Sequence, residues 1–155
     1  MTNEIQISLI HPSRNRPVIA QKAYSNWLQK SSGKINIEYI LSIDNDDEQL
    51  IQYLKTEKNE KTFFKETQIV LDNKNALEAI NNAAKISLGN IIVVMSDDFD
   101  CEQNWDEKLC ELLEGKTFFC AKTKDGIQPH IITLPIIDRA FYNHFGYIYN
   151  PIYQH

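Results

Sequence analysis

The sequence predicts an α/β domain in which helices flank a mostly parallel central sheet. Short apolar segments alternate along the chain with segments whose apolar residues recur every three or four positions. That alternation is typical of a sheet built from βαβ units. The segment Ile91–Met95 is apolar at every position, as expected of a central strand that is covered on both faces.

The length and composition are those of one domain spanning residues 1–155, with no linker between two cores. A chain of this length can bury a real core. The net charge of −5 and the lack of a basic stripe disfavour a nucleic-acid partner. The longest apolar run, Ile91–Met95, is too short to cross a bilayer, which predicts no integral membrane segment.

The cell compartment can be predicted from the cysteines and the N-terminus. The three cysteines include no C-x-x-C pair, so the pattern indicates free thiols in a reducing compartment. The first residues lack the basic and apolar regions of a signal peptide. We therefore expect a cytoplasmic protein.

The first half of the chain predicts two strand–helix units. The first strand is predicted over Ile5–Ile10, and Pro17 suits the first position of the helix that follows, which we expect to stop by Gly33. A second strand over Ile35–Ile43 alternates apolar and polar residues. A helix around Glu48–Leu54 follows.

The middle of the chain predicts a third and a fourth unit. A short strand at Gln68–Leu71 precedes a helix over Lys74–Leu88, with Gly89 as its terminator. After the apolar strand Ile91–Met95, Asn104 has the sequence of a helix N-cap. Glu107, three residues further on, completes a capping-box pattern for a helix that runs to Gly115.

The last part of the chain predicts two strands and a helix. The strands are expected over Thr117–Ala121 and Ile131–Leu134, with a turn signal at Asp125–Gly126 between them. A helix over Asp138–Phe145 follows, ended by Gly146. Because the chain alternates strand and helix almost throughout, we expect a mostly parallel sheet with right-handed crossovers.

Polar clusters follow three of the predicted strands: His11–Arg16, Asp44–Asp47 and Ser96–Asp100. In open α/β sheets, ligands bind beyond the carboxyl ends of the strands. We therefore expect the three clusters to converge on one edge of the sheet and to form a ligand-binding site.

The segment Ser96–Asp100 carries three carboxylates within four residues. Neighbouring carboxylates repel one another, so a bound cation is one way to stabilise them. Oxygen ligands favour Mg²⁺ or Mn²⁺, which keeps waters and takes further ligands from a diphosphate. The alternative interpretation is a solvated acidic turn in which Asp98 or Asp100 caps the next helix.

Residues of the other two clusters have the chemistry to bind a nucleotide. Asp44 can accept a hydrogen bond from a base N–H, and Arg14 and Arg16 can form forked contacts with phosphate or ribose oxygens. Their alternative roles are a turn-forming Asp and exposed surface charges. The chain has no G-x-S-x-G, G-x-G-x-x-G or Walker A motif.

These segments together resemble the inverting family 2 glycosyltransferases with the GT-A fold. The run Ile7–Pro17 resembles that family's first strand and T-x-x-N-R-like turn. The segment Asn75–Ile92 resembles its N-x-x-x-x-x-x-A-x-G-x-x-I/V pattern, which leads into an acidic D-x-D region, here Ser96–Asp100. Asn104–Asp106 resembles the segment that follows. The resemblance extends from Ile5 to about Gly146.

The resemblance implies a single Rossmann-like GT-A domain that transfers a sugar from a nucleotide-diphosphate donor, a UDP-sugar, to a hydroxyl acceptor such as a glycan. The implied cofactor is Mn²⁺ or Mg²⁺. The expected nucleotide-binding residues are His11, Pro12, Ser13, Arg14, Arg16, Asp44, Asn75, Ser96 and Asp97. The expected metal ligands are Asp98 and Asp100, whose register in D-x-D is open, with His155 as a third.

The family's general base is expected beyond the D-x-D region, where it removes the acceptor proton. Residues 146–155 contain no carboxylate, so Asp138 is the candidate base. The lack of a base in this segment favours an alternative, a non-catalytic nucleotide-sugar-binding domain or a fragment that needs a partner. A further alternative is a nucleotidyltransferase, although its usual glycine-rich loop is not found in His11–Arg16.

Overall fold

A computed structural model describes residues 4–56, 61–124, 126 and 129–153, which form six strands and five helices. The strands are β1 (Ile7–Ser13), β2 (Ile37–Asp44), β3 (Lys65–Leu71), β4 (Ile91–Val94), β5 (Cys120–Lys122) and β6 (Pro135–Asp138). The helices are α1 (Pro17–Gln29), α2 (Glu48–Thr56), α3 (Ala76–Ile86), α4 (Trp105–Leu113) and α5 (Arg139–Phe145). No helix among these residues is long and apolar enough to cross a membrane.

All six strands lie in one sheet, in the order β3-β2-β1-β4-β6-β5. The first four strands of this order are parallel, whereas β6 runs antiparallel to both β4 and β5. The predicted α/β fold with a mostly parallel sheet is therefore confirmed. The chain moves outward from β1 to β3 and then returns to place β4 on the other side of β1. This reversal creates a crevice at the carboxyl ends of β1 and β4.

Helices cover both faces of the sheet. One core cluster joins α1 and α4 to the sheet, and its Trp27 and Trp105 rings meet at 4.9 Å between centroids. The other cluster packs α3, with Ile80 and Ala83, against the opposite face. Strand β2 lies between these layers and is buried from Ile37 to Ile43. Its alternating sequence therefore does not mark a solvated face, because the face that carries Glu38, Ile40 and Ser42 is buried as well, and Ile40 packs in the α3 cluster.

The prediction of a strand over Ile131–Leu134 is wrong. The strand forms instead over Pro135–Asp138, where Ile137 pairs with Ile92 and is fully buried. Ile131 and Ile132 are exposed. The sequence between Ile131 and Ile137 is apolar in both its first and its second half, so its pattern does not show which half forms the strand. Pairing with β4 decides which isoleucines enter the core. The neighbouring strand likewise begins at Cys120 instead of Thr117, and Asp125 of the predicted turn lies outside the described residues.

Two predicted helix ends also differ. Helix α3 ends at Ile86, so Gly89 does not terminate it. Asn104 lies at the start of α4 with φ of 57° and makes no side-chain cap, which contradicts the predicted capping box. The acidic residues of this turn bind the α1–β2 loop instead. Asp106 accepts hydrogen bonds from the backbone N–H and hydroxyl of Ser32, at 2.8 and 2.7 Å.

The three cysteines are free thiols, as predicted. Burial raises the pKa of the Cys101 thiol to about 12. Because the thiolate is the reactive form, we expect iodoacetamide at pH 8 to alkylate Cys101 about a thousandfold more slowly than an ordinary cysteine. The rate should rise with pH and on unfolding. Peptide mass mapping measures it, and equal rates in native and denatured protein would contradict the prediction.

Candidate functional site

The three predicted polar clusters converge at the carboxyl edge of the sheet, as expected. They line a cleft of about 830 Å³ between the β1 loop, the end of β2, the start of α3 and the end of β4. The predicted nucleotide-binding residues on its wall are Pro12, Ser13, Arg14, Arg16, Asp44, Asn75, Ser96 and Asp97. A fourth polar cluster, Asp72–Asn75, follows β3 and obeys the same rule. This cluster was not among the three predicted from the sequence.

His11 does not line the cleft, so its predicted nucleotide contact is wrong. The residue is fully buried, and both ring nitrogens are already bonded. Nδ1 lies 2.7 Å from the Tyr39 hydroxyl, and Nε2 lies 2.7 Å from Asp97 Oδ1. The second oxygen of Asp97 accepts a hydrogen bond from Ser13 at 3.1 Å. His11 therefore holds the loop that follows β4, which contains Asp97 and is called the β4 loop below, against β1.

The proton arrangement in this Tyr39–His11–Asp97 chain follows from the groups themselves. Burial raises the pKa of the Tyr39 phenol well above its usual range, so the hydroxyl keeps its proton. An ionised carboxylate only accepts hydrogen bonds, so Nε2 of His11 carries the proton that points to Asp97. The Asp97 side chain is 6% exposed. Its carboxylate is thus held in one orientation at the edge of the cleft.

Asp44 is held in place by a network of its own. Arg14 donates to Asp44 and forms a forked pair with Asp46, at 2.8 and 2.7 Å. The pairing with Arg14 holds the pKa of the Asp46 carboxyl below its usual range. On the other side, Asn73 donates to Asp44 at 2.8 Å and accepts from Asn82 at 2.9 Å. Asp44 therefore presents its remaining lone pairs to the cleft in a fixed geometry.

Two cations on the cleft wall are free to meet an anion. Arg16 and Lys74 are both exposed and form no ion pair with the described residues, whereas Arg14 is neutralised by Asp44 and Asp46. Asn75 caps α3 by accepting from the backbone N–H of Glu78 at 2.9 Å. The N-terminus of α3 thus also faces the cleft with its positive dipole end.

The carboxylates of the acidic loop Ser96–Asp100 have different partners. Asp98 accepts from the Ser96 hydroxyl at 2.5 Å, and this bond holds the pKa of its carboxyl below the usual range. Asp100 turns toward α1, where it pairs with Lys30 at 2.5 Å and with Asn26. Neither Asp98 nor Asp100 is among the residues that line the cleft, and Asp100 is paired with Lys30. Metal ligation by Asp98 together with Asp100 stays a prediction that this geometry does not support.

The described residues bring together no group of three His, Cys, Asp or Glu side chains that could hold a metal ion. His155, the predicted third ligand, lies outside the described residues. Asp98 is exposed, and no Lys or Arg among the described residues forms an ion pair with it. This donor set fits an ion that takes one protein carboxylate and draws its other ligands from water and phosphate, as Mg²⁺ often does.

Asp138 lies at the opposite edge of the sheet, so its predicted role as general base is wrong. It pairs with Ile91, the first residue of β4, whereas the cleft lies beyond the last residue of that strand. Its carboxylate caps α5 by accepting from the backbone N–H of Phe141 at 2.9 Å. It also accepts from the backbone N–H groups of Phe118 and Phe119. Its role is structural.

Besides the Asp72–Asn75 cluster, two further polar residues of the cleft, Ser42 and Tyr149, were not among the predicted site residues. Ser42 lies on β2 beneath the cleft, and Tyr149 lies on its wall. Tyr149 is placed by α3, because Asn81 accepts from its backbone N–H at 3.0 Å. Ser42 could have been found as a small polar residue in an apolar strand. Tyr149 carries no local signal, because its position depends on a contact 68 residues away.

The fold is a Rossmann-like α/β fold of the GT-A type. It combines a mostly parallel sheet that has a switch point with an acidic loop after β4 and a polar cleft beyond the strand ends. Solved structures confirm this fold. The mannosyltransferase PcManGT from Pyrobaculum calidifontis, in complex with GDP-Man and Mn²⁺, matches with a TM-score of 0.62 and 15% identity. The match covers 93% of this chain and 47% of the mannosyltransferase.

Two further solved structures share the fold. S. aureus TarS 1-349 in complex with UDP-GlcNAc matches with a TM-score of 0.57 and 16% identity, over 70% of this chain and 31% of TarS. The 4-diphosphocytidyl-2C-methyl-D-erythritol synthase from Anaerococcus prevotii matches with a TM-score of 0.58 and 12% identity, over 96% of this chain and 80% of the synthase. This chain spans less than half of either glycosyltransferase. No protein-family model and no curated protein matches the sequence.

Proposed function

We propose that the cleft binds a nucleoside-diphosphate sugar, with UDP as the nucleotide, and that the chain transfers the sugar to a hydroxyl acceptor such as a glycan. The observation that carries this proposal is the charge arrangement of the cleft. Two cations that form no ion pair with the described residues and a helix N-terminus lie in the same cleft as fixed carboxylates. This arrangement suits a ligand with both phosphates and hydrogen-bond donors.

Each part of the donor has a counterpart in the cleft. Arg16 and Lys74 provide charge for the diphosphate, and Asp44, held by Arg14 and Asn73, accepts a hydrogen bond from the base or ribose. Asp97 is fixed by hydrogen bonds to His11 and Ser13. In this proposal it keeps the β4 loop beside the sugar and the phosphates of the donor. These roles extend the family resemblance to positions that the structure brings together.

The proposed Mn²⁺ or Mg²⁺ would be held by Asp98 and by the donor's phosphates. Such an ion neutralises the negative charge that develops on a departing nucleoside diphosphate. Arg16 lies close enough to lower the pKa of the Asp98 carboxyl electrostatically, so it lies near the same charge. The residues of the chain therefore orient the diphosphate and neutralise part of its charge.

Thermal unfolding with UDP, GDP, CDP and ADP, each with Mn²⁺ or with chelator, tests the donor site. A ligand at about a hundred times its Kd stabilises the folded state by about 2.7 kcal/mol, which for this chain length raises Tm by roughly 5–10 °C. We expect this rise with UDP and Mn²⁺. Absence of a rise with every nucleotide would refute the donor site.

Variants of the two free cations sharpen this test. Arg16→Ala and Lys74→Ala should each weaken UDP binding by about tenfold to a hundredfold, because each removes a charge-assisted contact to phosphate. Lys22→Ala is the matched control, since Lys22 is exposed on α1 and does not line the cleft. Calorimetric titration measures all three. Equal losses in the control and the cleft variants would contradict the assignment.

Turnover separates the enzyme from a non-catalytic binding domain. A glycosyltransferase releases UDP from a UDP-sugar in the presence of metal, whereas a binding domain shows metal-dependent affinity without release. Coupled detection of UDP over a panel of UDP-sugars measures this. Binding without release would favour the alternative of a nucleotide-sugar-binding domain, or of a fragment that acts with a partner.

A nucleotidyltransferase is the second candidate function. The match to the erythritol synthase covers 80% of that protein, more than is covered of either glycosyltransferase. Against it, the segment His11–Arg16, which spans the end of β1 and the turn that follows, contains no glycine. The two activities release different products, since a nucleotidyltransferase forms pyrophosphate from a nucleoside triphosphate and a sugar or alcohol phosphate. Pyrophosphate release from CTP or UTP with such phosphates would support this candidate.

A further inference from the structure

Ser42 carries a buried hydroxyl that has no hydrogen-bond partner among the residues that the structure describes. The residue lies on β2, where it pairs with Pro12 of β1 and Ile69 of β3, and it is 1% exposed. Its Oγ makes no hydrogen bond within the described part of the chain. The residue nevertheless lines the cleft. This combination places an unused polar atom beneath the proposed donor site.

Other buried serines of the chain show what is unusual about Ser42. Ser8 donates to Glu38 at 2.6 Å, Ser13 donates to Asp97, and Ser87 donates to the backbone carbonyl of Ala84 at 2.7 Å. Burying a hydroxyl without a partner is unfavourable, and native structures rarely tolerate it without a reason. A ligand in the cleft would supply the missing partner.

The surroundings of Ser42 suit the flat ring of a nucleobase. On a strand, residues two apart share a face and lie about 7 Å apart, so Ser42 lies one step deeper than Asp44. Apolar residues at the start of α3, Ala76, Ala79 and Ile80, also line the cleft. Helix α3 packs on the face of β2 that carries Ile40, which is the face of Ser42 because the two residues are two apart on the strand. The free cations Arg16 and Lys74 are suited to phosphate instead. The apolar end with one hydroxyl is left for the base.

We propose that Ser42 is a base-selecting residue, whose hydroxyl donates a hydrogen bond to a ring carbonyl oxygen of the bound nucleotide. This inference rests on the proposed function of the cleft and deepens it. Uracil, cytosine and guanine each carry such a carbonyl oxygen, whereas adenine has none. Ser42 therefore favours a carbonyl-bearing base over adenine.

The variant Ser42→Ala tests this assignment by two measurements. Calorimetric titration with UDP, CDP, GDP and ADP in Mn²⁺ should show that affinity for the best carbonyl-bearing nucleotide falls by about 2- to 10-fold. Affinity for ADP should not change. Thermal unfolding without ligand should show an equal or higher Tm, because the variant removes a buried hydroxyl that has no partner.

Ser87→Ala is the matched control. It removes a buried serine hydroxyl that does have a partner and lies outside the cleft, so Tm should fall while nucleotide affinities stay unchanged. The inference is overturned if Ser42→Ala leaves the relative affinities of the four nucleotides unchanged, or if it lowers the Tm of the free protein as Ser87→Ala does. If the wild-type chain binds none of the four, the donor site itself fails.

Discussion

Asp97→Ala is expected to abolish measurable nucleotide binding and to lower the free energy of unfolding by about 2–4 kcal/mol. The carboxylate is the only acceptor that His11 Nε2 has among the described residues, and it also binds Ser13. Its loss leaves a buried N–H without a partner and unlinks the β4 loop from β1. Calorimetric titration with UDP and Mn²⁺ and denaturant unfolding measure the two effects.

Asp97→Asn is the matched variant. The asparagine can still accept from His11 through its carbonyl oxygen, and its amide can donate to the Ser13 hydroxyl. We therefore expect the free energy of unfolding to change by less than about 1 kcal/mol. Nucleotide binding should persist with reduced affinity. If Asp97→Ala binds UDP as tightly as the wild type, Asp97 does not position the β4 loop for the donor.

Gly89→Ala is expected to lower the free energy of unfolding by about 3 kcal/mol, at the upper end of the usual cost of overpacking. A Cβ at this position would lie 2.5 Å from the backbone nitrogen of Ser8 and 2.7 Å from the carbonyl carbon of Ile7. Both atoms belong to β1 in the centre of the sheet, so neither can move aside without disturbing strand pairing. Denaturant unfolding measures the loss.

Gly115→Ala is the control for Gly89→Ala. Gly115 has φ of 71°, but a Cβ there would meet nothing within 4 Å. The cost should therefore be limited to the left-handed backbone, about 1–2 kcal/mol. Gly89 does not have a positive φ. A larger loss of stability in Gly89→Ala would therefore come from the lack of space for the added Cβ and not from backbone strain. A loss at Gly89 no greater than that at Gly115 would contradict the close approach.

Much of the fold could be predicted because its signals are local. Pro17 begins α1 as expected, because its ring suits the first turn of a helix. The apolar segment Ile91–Met95 became the buried strand β4. Polar clusters at strand ends converged because the carboxyl ends of parallel strands meet at one edge. The same rule applies to Asp72–Asn75, which follows β3, so this cluster could have been predicted from the sequence as well.

The failures share a cause, which is that partners far apart in the sequence decide what a side chain does. His11 was expected to contact the nucleotide, but Tyr39 and Asp97, 28 and 86 residues away, draw it into the core. Asp100 was expected to bind metal, but Lys30 on α1 holds it. Asp138 was expected to act as base, but an antiparallel strand carries it to the opposite edge.

The sequence by itself determined the layered α/β architecture, the order of its strands and helices, and the edge where a ligand would bind. The spacing of apolar residues and the polar residues at strand ends are both visible in short stretches of sequence. Apolar side chains are buried and polar ones stay at the surface in any fold, so these patterns predict the architecture. Only the tertiary structure decided which polar groups at that edge are used internally and which are free. Arg14 and Arg16 are two residues apart and alike in sequence. One is neutralised by Asp44 and Asp46 and the other is left unpaired within the described chain, because β2 ends beside the first and not the second.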